Sequence, residues 1–413
     1  MASQPSVTRL LADMRSGARS CADVTTTHLE LLHSVDAATN AVASFEDDRV
    51  LADASAHDQS RADGRPLGPL HGLPITVKDW IDVEGFVCAG ESDRHRDRRP
   101  TLDATVIARL RAAGAVVVAK TRAWGPDDPE RRVRHPVAAE RSPGGSSTGE
   151  AVVVASGASP LGFGSDSGGS IRLPAAWCGA YGFKPTAGLV PTTGHFPRVG
   201  SLSDGRTQIG PLTRDLDAIE LVLPIIAGPD WHDAGVVPLA VRGTSPAAGR
   251  DARFAVLPAD PNWPTAAAVA DAVDTAATRL AAAGLTRVEW TGRWLDDALD
   301  ITRRYWNRAQ LTGADAARQL WDWDRFRRQY MEAAEHIDLL LTPVSAETAP
   351  LHRPIVGEDF VFTLPASLTG SPAIAVPLGA NAAGMPLSVQ IIGRPWEDHR
   401  VLAAARLITN PAG

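Results

Sequence analysis

Residues 142–186 read SPGGSSTGEAVVVASGASPLGFGSDSGGSIRLPAAWCGAYGFKPT and contain two clusters of glycine and serine. The first cluster, residues 144–149, precedes an apolar segment that predicts a helix. The second follows the strand-like PLGFGSD and opens another predicted helix, which places Ser170 at a helix N-terminus. Unpaired backbone N–H groups of such a turn point towards one spot. A negatively charged oxygen could be held there by the N–H groups of Ser167, Gly168, Gly169 and Ser170.

A serine on this turn becomes a nucleophile only when a base removes its proton. The sequence has 11 histidines, and none stands in a pattern tied to the two clusters. PITVKD, residues 74–79, alternates as a strand and places Lys78 near its end. Burial disfavours the ammonium form and lowers the pKa of a lysine, so a buried Lys78 would be a base near neutral pH.

The rest of the chain alternates between helical and strand-like patterns. Apolar residues recur at helical spacing from Ser6 to Gly17 and again from Ser20, and the N-terminal segment is predicted to be all helical. This pattern predicts an α/β fold with one large mixed β-sheet core flanked by helices on both faces. Strand-like segments lie at residues 74–79, 115–119, 253–258, 285–290, 337–343, 372–379 and 386–393.

The chain is predicted to be a single domain, residues 1–413, because no internal repeat or low-complexity linker divides it. Its parts are a helical N-terminal segment of about residues 1–65, a core of about 66–228 and a C-terminal α/β part of about 250–413. If the chain has a boundary between two parts, the stretch rich in Gly, Pro and Asp around residues 228–250 is the candidate for it.

Composition excludes several classes of protein. The formal net charge of −7 argues against nucleic-acid partners, which normally require a basic face. The three cysteines, Cys21, Cys88 and Cys178, form neither a disulfide framework nor a zinc ligand set. No segment resembles a secretory signal, and none has the roughly 18 consecutive apolar residues that a membrane span requires. We therefore expect a cytoplasmic protein without a membrane or nucleic-acid partner.

Several stretches together resemble the amidase signature family. They are GLPITVKD (72–79), SPGGSSTGEA (142–151), GSDSGGSIRLPAAWCGAYGFKPT (164–186), IGPLTRD (209–215) and PAIAVPLG with GMPLSVQIIGRP (372–395). Their order is typical of that family, as is the spacing between Lys78, Ser146 and Ser170. The resemblance covers most of the chain and implies the α/β/α sandwich of these enzymes.

The resemblance also implies a reaction and the residues that perform it. Ser170 would be the nucleophile that forms an acyl-enzyme, neutral Lys78 the base, and Ser146 the relay of the proton between them. The implied activity is hydrolysis of a carbon–nitrogen amide bond in a small molecule, without a cofactor or metal. The resemblance also suggests a homodimer. A cis peptide bond is implied between Gly145 and Ser146. Supporting roles are implied for Ser147, Asp166 and Arg172.

The sequence departs from the family pattern in two places. Thr148 stands where a glycine is common in the first cluster, and the segment at residues 121–141 is shorter than usual. That segment also lacks the KTN-M-[DE] stretch typical of the glutamine-hydrolysing component of tRNA-dependent amidotransferases. Candidates for the lining of a substrate pocket are Trp80, Trp124, His195 and Arg198, with Arg206, Phe362, Ser367 and Ser371.

Three alternatives stay open. The acyl-enzyme could pass its acyl group to an amine instead of water, as an acyltransferase or amidotransferase-type component of a biosynthetic pathway does. The loop at residues 144–149 could be an anion cradle in a binding protein, although no P-loop motif is present. Cys178 could be imagined as a nucleophile, but a buried structural cysteine is the expected interpretation.

Overall fold

The computed structural model describes residues 5–123, 132–199, 204–243, 252–292 and 294–410. A mixed sheet of 11 strands runs through it. The strands are β1 Val42–Ser44, β2 Pro74–Lys78, β3 Val116–Thr121, β4 Leu161–Asp166, β5 Tyr181–Lys184, β6 Gln208–Thr213, β7 Arg253–Val256, β8 Thr286–Arg287, β9 Leu339–Pro343, β10 Ala373–Ala380 and β11 Pro386–Gly393. Their order across the sheet is β1-β3-β2-β4-β6-β5-β10-β11-β9-β7-β8.

Twelve α-helices accompany the sheet within the described ranges. They are α1 Val7–Ser16, α2 Cys21–Thr39, α3 Asp47–Ala62, α4 Thr105–Ala112, α5 Thr148–Ala155, α6 Arg172–Cys178, α7 Leu216–Ile226, α8 Ala267–Ala282, α9 Leu295–Trp306, α10 Gly313–Ala333, α11 Leu364–Thr369 and α12 Asp398–Thr409. No helix in these ranges is long and apolar enough to cross a membrane.

Side chains of the C-terminal strands alternate between two hydrophobic clusters. Leu339 and Leu341 of β9 belong to one cluster, whereas Leu340 belongs to the other. Helices α8 and α12 contribute to the first cluster, and α9, α10 and α11 contribute to the second. Because successive side chains of a strand point to opposite faces, helices cover both sides of the sheet. The predicted α/β fold, a large mixed sheet with helices on both faces, is confirmed.

The N-terminal segment is helical where its caps predict helices. The Ser6 side chain accepts a hydrogen bond from the backbone of Arg9 at the start of α1, and Gly17 ends that helix with a φ of 76°. The Ser20 side chain caps α2 in the same way. The prediction of an all-helical segment is wrong at β1, which joins the sheet edge beside β3.

Two further strand predictions need correction. Residues 285–290 are expected to form one strand, but only the two residues of β8 pair, alongside β7. Strands β5 and β6 are not among the predicted strands. β6 contains Pro211, which cannot donate to a ladder, yet the strand pairs between β4 and β5.

Strands β2 and β4 position the functional residues. They are parallel neighbours, with Thr76 paired to Gly162 and Val77 paired to Phe163. Parallel strands end at the same edge of a sheet. The end of β2, which carries Lys78, therefore lies beside the end of β4 and the second glycine–serine cluster.

Candidate active site

Lys78 is a fully buried lysine at the end of β2. Its Nζ lies 2.7 Å from Ser146 Oγ. Burial lowers the pKa of Lys78 to about 7, although the charges of Asp166 and Glu150 oppose that shift. A large fraction of this lysine is therefore neutral at physiological pH, and its lone pair is available to accept a proton.

Ser146 lies in the loop that leads into α5, and the peptide bond between Gly145 and Ser146 is cis. Gly144 has a φ of 80°, and a Cβ there would lie 2.8 Å from the backbone of α6. The Ser147 hydroxyl accepts the N–H of Ser165 at 3.2 Å and donates to the Ser165 carbonyl at 3.3 Å. These contacts hold the loop against the end of β4 beside Lys78. Thr148, the departure from the family pattern, is the first residue of α5 and removes no group from this cluster.

A second serine contacts the same lysine. Lys78 Nζ lies 3.1 Å from Ser165 Oγ, and Ser165 Oγ lies 3.0 Å from His195 Nε2. His195 Nδ1 lies 2.7 Å from the Pro197 carbonyl, which can only accept, so Nδ1 carries the proton. Burial lowers the pKa of His195 to about 4, and the imidazole is neutral. Its Nε2 therefore accepts from Ser165, and Ser165 in turn accepts from Lys78.

This chain of donors orients Lys78. The hydroxyl hydrogen of Ser165 is committed to His195, so Ser165 can only accept from Nζ. One N–H of a neutral Lys78 is thereby occupied, and its lone pair is left for the hydroxyl of Ser146. His195 reaches Lys78 through Ser165, so the role expected for it is that of a positioning residue.

We expect His195→Phe to lower kcat about tenfold and leave KM unchanged, because Ser165 could then donate to Nζ and compete with Ser146. Steady-state kinetics with thermal melts would measure this. His28→Phe is the matched control, since buried His28 also contacts a backbone carbonyl, that of Ala158 at 2.9 Å. A folded His195→Phe enzyme with unchanged kcat would contradict this role of His195.

Ser170 lies on the turn between β4 and α6. Its carbonyl accepts the backbone N–H of Ser147 at 3.0 Å, which joins this turn to the Ser146 loop. Gly169 has a φ of 141°, and a Cβ there would overlap the Thr363 hydroxyl, so this position requires glycine. Within the described part of the chain, the backbone N–H groups of residues 168–170 donate to no other group.

The predicted helix start at Ser170 is wrong by two residues. Helix α6 begins at Arg172, because the Asp166 carboxylate accepts the backbone N–H groups of Ile171 and Arg172 at 3.1 and 3.4 Å. The donors expected to hold an oxyanion therefore belong to an open turn before the helix, and not to its first turn.

Asp166 and Arg172 form a buried ion pair beneath this turn, with both side chains 0% exposed. Arg172 donates Nε and Nη2 to the two carboxylate oxygens at 3.0 and 2.9 Å. Its remaining contacts are the Thr363 carbonyl, Gln390 and Ser367. Burial alone would raise the pKa of Asp166, but the charge and hydrogen bonds of Arg172 hold it below its usual range. The pair fixes the turn that carries Ser170.

The candidates for a substrate pocket separate in the structure. Trp80 lies beside the catalytic candidates, with Lys78 Nζ 4.1 Å from its ring centroid and the His195 ring in edge contact at 6.0 Å. Arg198 is exposed and is not part of this cluster. Trp124 lies outside the described residues, as does part of the short 121–141 segment.

Of the further candidates, Phe362 is buried, Ser367 contacts Arg172, and Ser371 contacts Thr369 at 2.8 Å. Cys178 is buried as well, and burial raises its pKa well above the usual range, so it is no candidate nucleophile. Among the described residues, no group of three or more His, Cys, Asp or Glu side chains is placed to hold a metal ion.

A family model described as Amidase matches residues 23–320 and 304–402, nearly the whole chain. The chain belongs to the amidase signature family. One relative is a subunit of the glutamyl-tRNA(Gln) amidotransferase of Synechococcus sp. (strain CC9605), 30% identical over 466 residues and covering 95% of this chain and 93% of that protein. Another is AtzE, which belongs to the 1-carboxybiuret hydrolase of Pseudomonas sp. (strain ADP), is 29% identical and covers 97% of each chain.

Solved structures of the family share the fold. The native peptide amidase of Stenotrophomonas maltophilia superimposes with a TM-score of 0.82 at 25% identity, covering 98% of this chain and 96% of that one. The relatives thus include both amide hydrolases and components of amidotransferases, and the chain is an enzyme of a family that acts on amides. The resemblance to the amidase signature family noted in the sequence is confirmed.

Ser165 is absent from the predicted site, and His195 is predicted only as part of the pocket lining. The one signal for Ser165 is a hydroxyl that follows the apolar run LGFG of this strand, two residues after Phe163 and therefore on the same face. Its contacts with Lys78 and His195 depend on three segments far apart in the sequence. No local pattern could have shown them.

Proposed function

We propose that the chain hydrolyses a carbon–nitrogen amide bond of a small molecule through an acyl-enzyme on Ser170. The observation that carries this proposal is the contact of 2.7 Å between Ser146 Oγ and the Nζ of a fully buried lysine whose pKa burial lowers to about 7. A neutral lysine in contact with a serine hydroxyl is a base for nucleophilic catalysis. Membership of the amidase signature family supports the same roles.

In the first step, Lys78 accepts the proton of Ser146 and Ser146 accepts that of Ser170. The Ser170 oxygen attacks the carbonyl carbon of the amide. The carbonyl oxygen then carries a negative charge, for which the free N–H groups of residues 168–170 are the proposed donors. The Ser167 N–H completes the set predicted from the sequence. No rearrangement of the turn is needed, because Asp166 and Arg172 already hold it.

In the second step, the carbon–nitrogen bond breaks and the leaving nitrogen takes a proton through Ser146 from the Lys78 ammonium. An acyl ester remains on Ser170, and the amine departs. Water then attacks the ester with the same groups acting as base and acid, which releases a carboxylic acid and restores Ser170. Each half-reaction needs Lys78 neutral at its start.

Acyl transfer to an amine is a second candidate. The relatives that are components of glutamyl-tRNA(Gln) amidotransferases support its amidotransferase-type form, in which the nitrogen released from the amide passes to an acceptor. All of these reactions share the acyl-enzyme, and they differ in which nucleophile receives the acyl group and in where the released nitrogen goes.

A panel of primary and secondary amides tests the proposal, with hydroxylamine as an added acceptor. Without hydroxylamine we expect carboxylic acid in equal amounts with ammonia from the primary amides and with amine from the secondary ones. When hydroxylamine is present, hydroxamate should replace part of the acid. Exposed Ser55 on α3 offers a serine control, Ser55→Ala, with unchanged product ratios. Products that form only with a biological amine would favour transfer. Amide cleavage that never yields a hydroxamate would contradict the acyl-enzyme.

A further inference from the structure

Arg206 is a buried cation beside the proposed oxyanion turn, and no described residue serves as its counter-ion. Its side chain is 0% exposed, and its Nε donates to the Ser167 carbonyl at 3.0 Å. Its Nη1 and Nη2 have no hydrogen-bond partner among the described residues. Burial lowers the pKa of Arg206 to about 10, so the guanidinium is still charged at neutral pH. Unpaired charged donors are costly inside a protein, which points to a missing partner.

Arg172 is a buried arginine of the same protein in which every guanidinium nitrogen has a hydrogen-bond partner. It is equally buried, and it donates to Asp166, Gln390, Ser367 and the Thr363 carbonyl. Arg206 differs because its two terminal nitrogens, four N–H donors, are unused in the described structure.

The nearest described carboxylate in sequence, Asp204, does not pair with the Arg206 side chain. Its oxygens accept the backbone N–H groups of Arg206 and Thr207 at 3.1 Å each, and the Thr207 hydroxyl at 2.6 Å. Asp166, whose charge also acts on Arg206, is committed to Arg172. Both carboxylates raise the pKa of Arg206 at a distance without contacting its nitrogens.

Two aromatic side chains lie beside the guanidinium, and neither offers a hydrogen-bond acceptor to its terminal nitrogens. The guanidinium carbon lies 4.5 Å from the Tyr305 ring centroid and 5.8 Å from that of Trp323. Contact with an aromatic ring stabilises the cation but does not satisfy its N–H donors. A carboxylate is the group whose two oxygens match the fork formed by Nη1 and Nη2.

The unpartnered nitrogens of Arg206 lie next to the turn where the proposed function places the substrate carbonyl. A Cβ built on Gly168 would lie 3.7 Å from Arg206 Nη2 and 3.0 Å from the Trp306 ring. Gly168 also belongs to the turn whose N–H groups are free. A substrate held there would have the guanidinium on one side and the aromatic end of α9 on the other.

We propose that Arg206 binds a carboxylate of the substrate through Nη1 and Nη2, so that this enzyme prefers amides carrying a carboxylate a few bonds from the scissile carbonyl. The inference rests on the proposed function and deepens it, because it names the substrate class and the residue that selects it. Arg206 is then the specificity-determining residue of the site.

The test compares two substrates with one leaving group: the mono-p-nitroanilide of succinic acid and the p-nitroanilide of butyric acid, which carries a methyl group in place of the carboxylate. We expect the wild type to favour the succinyl compound at least tenfold in kcat/KM. Arg206→Gln should lose about 10- to 100-fold with the succinyl compound and stay within about threefold with the butyryl compound.

Arg308→Gln is the matched control. Arg308 is exposed and lies over the same tyrosine, with its guanidinium carbon 4.2 Å from the Tyr305 ring, but donates to the Tyr305 carbonyl. This variant should leave the preference unchanged. Arg206→Gln should also melt at or above the wild-type temperature, because it removes an uncompensated buried charge.

A second readout needs no turnover. Millimolar succinate should slow the labelling of Ser170 by a fluorophosphonate in the wild type, and succinamide should not. This protection should be lost in Arg206→Gln. If Ser170 is labelled but succinate gives no protection and the two anilides react equally, the carboxylate site is wrong while the proposed function stands. If Ser170 is not labelled at all in the folded wild type, the proposed function fails first.

Discussion

Ser170→Ala is expected to lower kcat/KM for every amide substrate by about four to six orders of magnitude while the protein stays folded. The variant removes the only atom to which the acyl group is proposed to attach. Its fold should persist because Ser170 joins the neighbouring loop through its backbone carbonyl, which accepts from Ser147. Product formation by mass spectrometry, together with thermal melts, would measure both effects.

Cys178→Ala is the control for this result. Cys178 lies in the same signature stretch and is buried, with Sγ 3.5 Å from the Pro143 carbonyl. We expect this variant to keep its activity per folded molecule. Activity of Ser170→Ala within tenfold of the wild type would show that another group attacks the amide.

Lys78→Met is expected to lower kcat/KM by about three orders of magnitude and to change how stability depends on pH. In the folded protein the pKa of Lys78 is about 7, well below its ordinary value of 10.5. Between these values Lys78 binds a proton in the unfolded chain but not in the folded chain, so its contribution to stability rises with pH across this window. Below pH 7 the wild type bears the full cost of burying the ammonium group, and the methionine variant bears none.

The size of this effect follows from the shift. Lowering the pKa from 10.5 to about 7 corresponds to about 5 kcal/mol over the whole window, of which about 4 kcal/mol falls below pH 10. The free energy of unfolding of Lys78→Met minus that of the wild type should therefore be about 4 kcal/mol larger at pH 6 than at pH 10. The lost contacts of Nζ with Ser146 and Ser165 offset part of the gain at every pH.

Urea unfolding at several pH values would test the lysine prediction, with Ser170→Ala as the control that keeps Lys78 and follows the wild type. The wild-type kcat/KM should rise with pH through about 7, since only neutral Lys78 accepts a proton. Parallel stability curves for wild type and Lys78→Met would mean that the pKa of Lys78 is not depressed in the folded state.

Much of this site could be predicted from the sequence because its residues lie in short motifs with fixed order. Lys78 ends a strand of alternating apolar and polar residues, which predicts a buried base. Ser170 lies between a strand and a helix, which predicts a nucleophile on a turn. The predicted helix start is misplaced because side-chain capping by Asp166 decides where α6 begins. Asp166 lies five residues before Ile171, whose N–H it accepts, and the shape of the turn between them is not apparent from the sequence.

Other features arise only from packing between distant segments. β1 has three residues, and its partner strand begins over seventy positions later, so no period reveals it. Arg206 could be named as a pocket candidate from its residue type. The absence of partners for its terminal nitrogens could not be predicted, because it depends on which acceptors the fold places near the buried guanidinium.

The central claim is that neutral Lys78 activates Ser170 through Ser146, and covalent labelling by a fluorophosphonate with intact-mass detection tests it most directly. We predict one adduct per chain, mapped to Ser170, formed at a rate that rises with pH through about 7. Ser170→Ala should give no adduct, and Lys78→Met should react about a thousandfold more slowly. An adduct on another residue, or labelling of Lys78→Met at the wild-type rate, would contradict this claim.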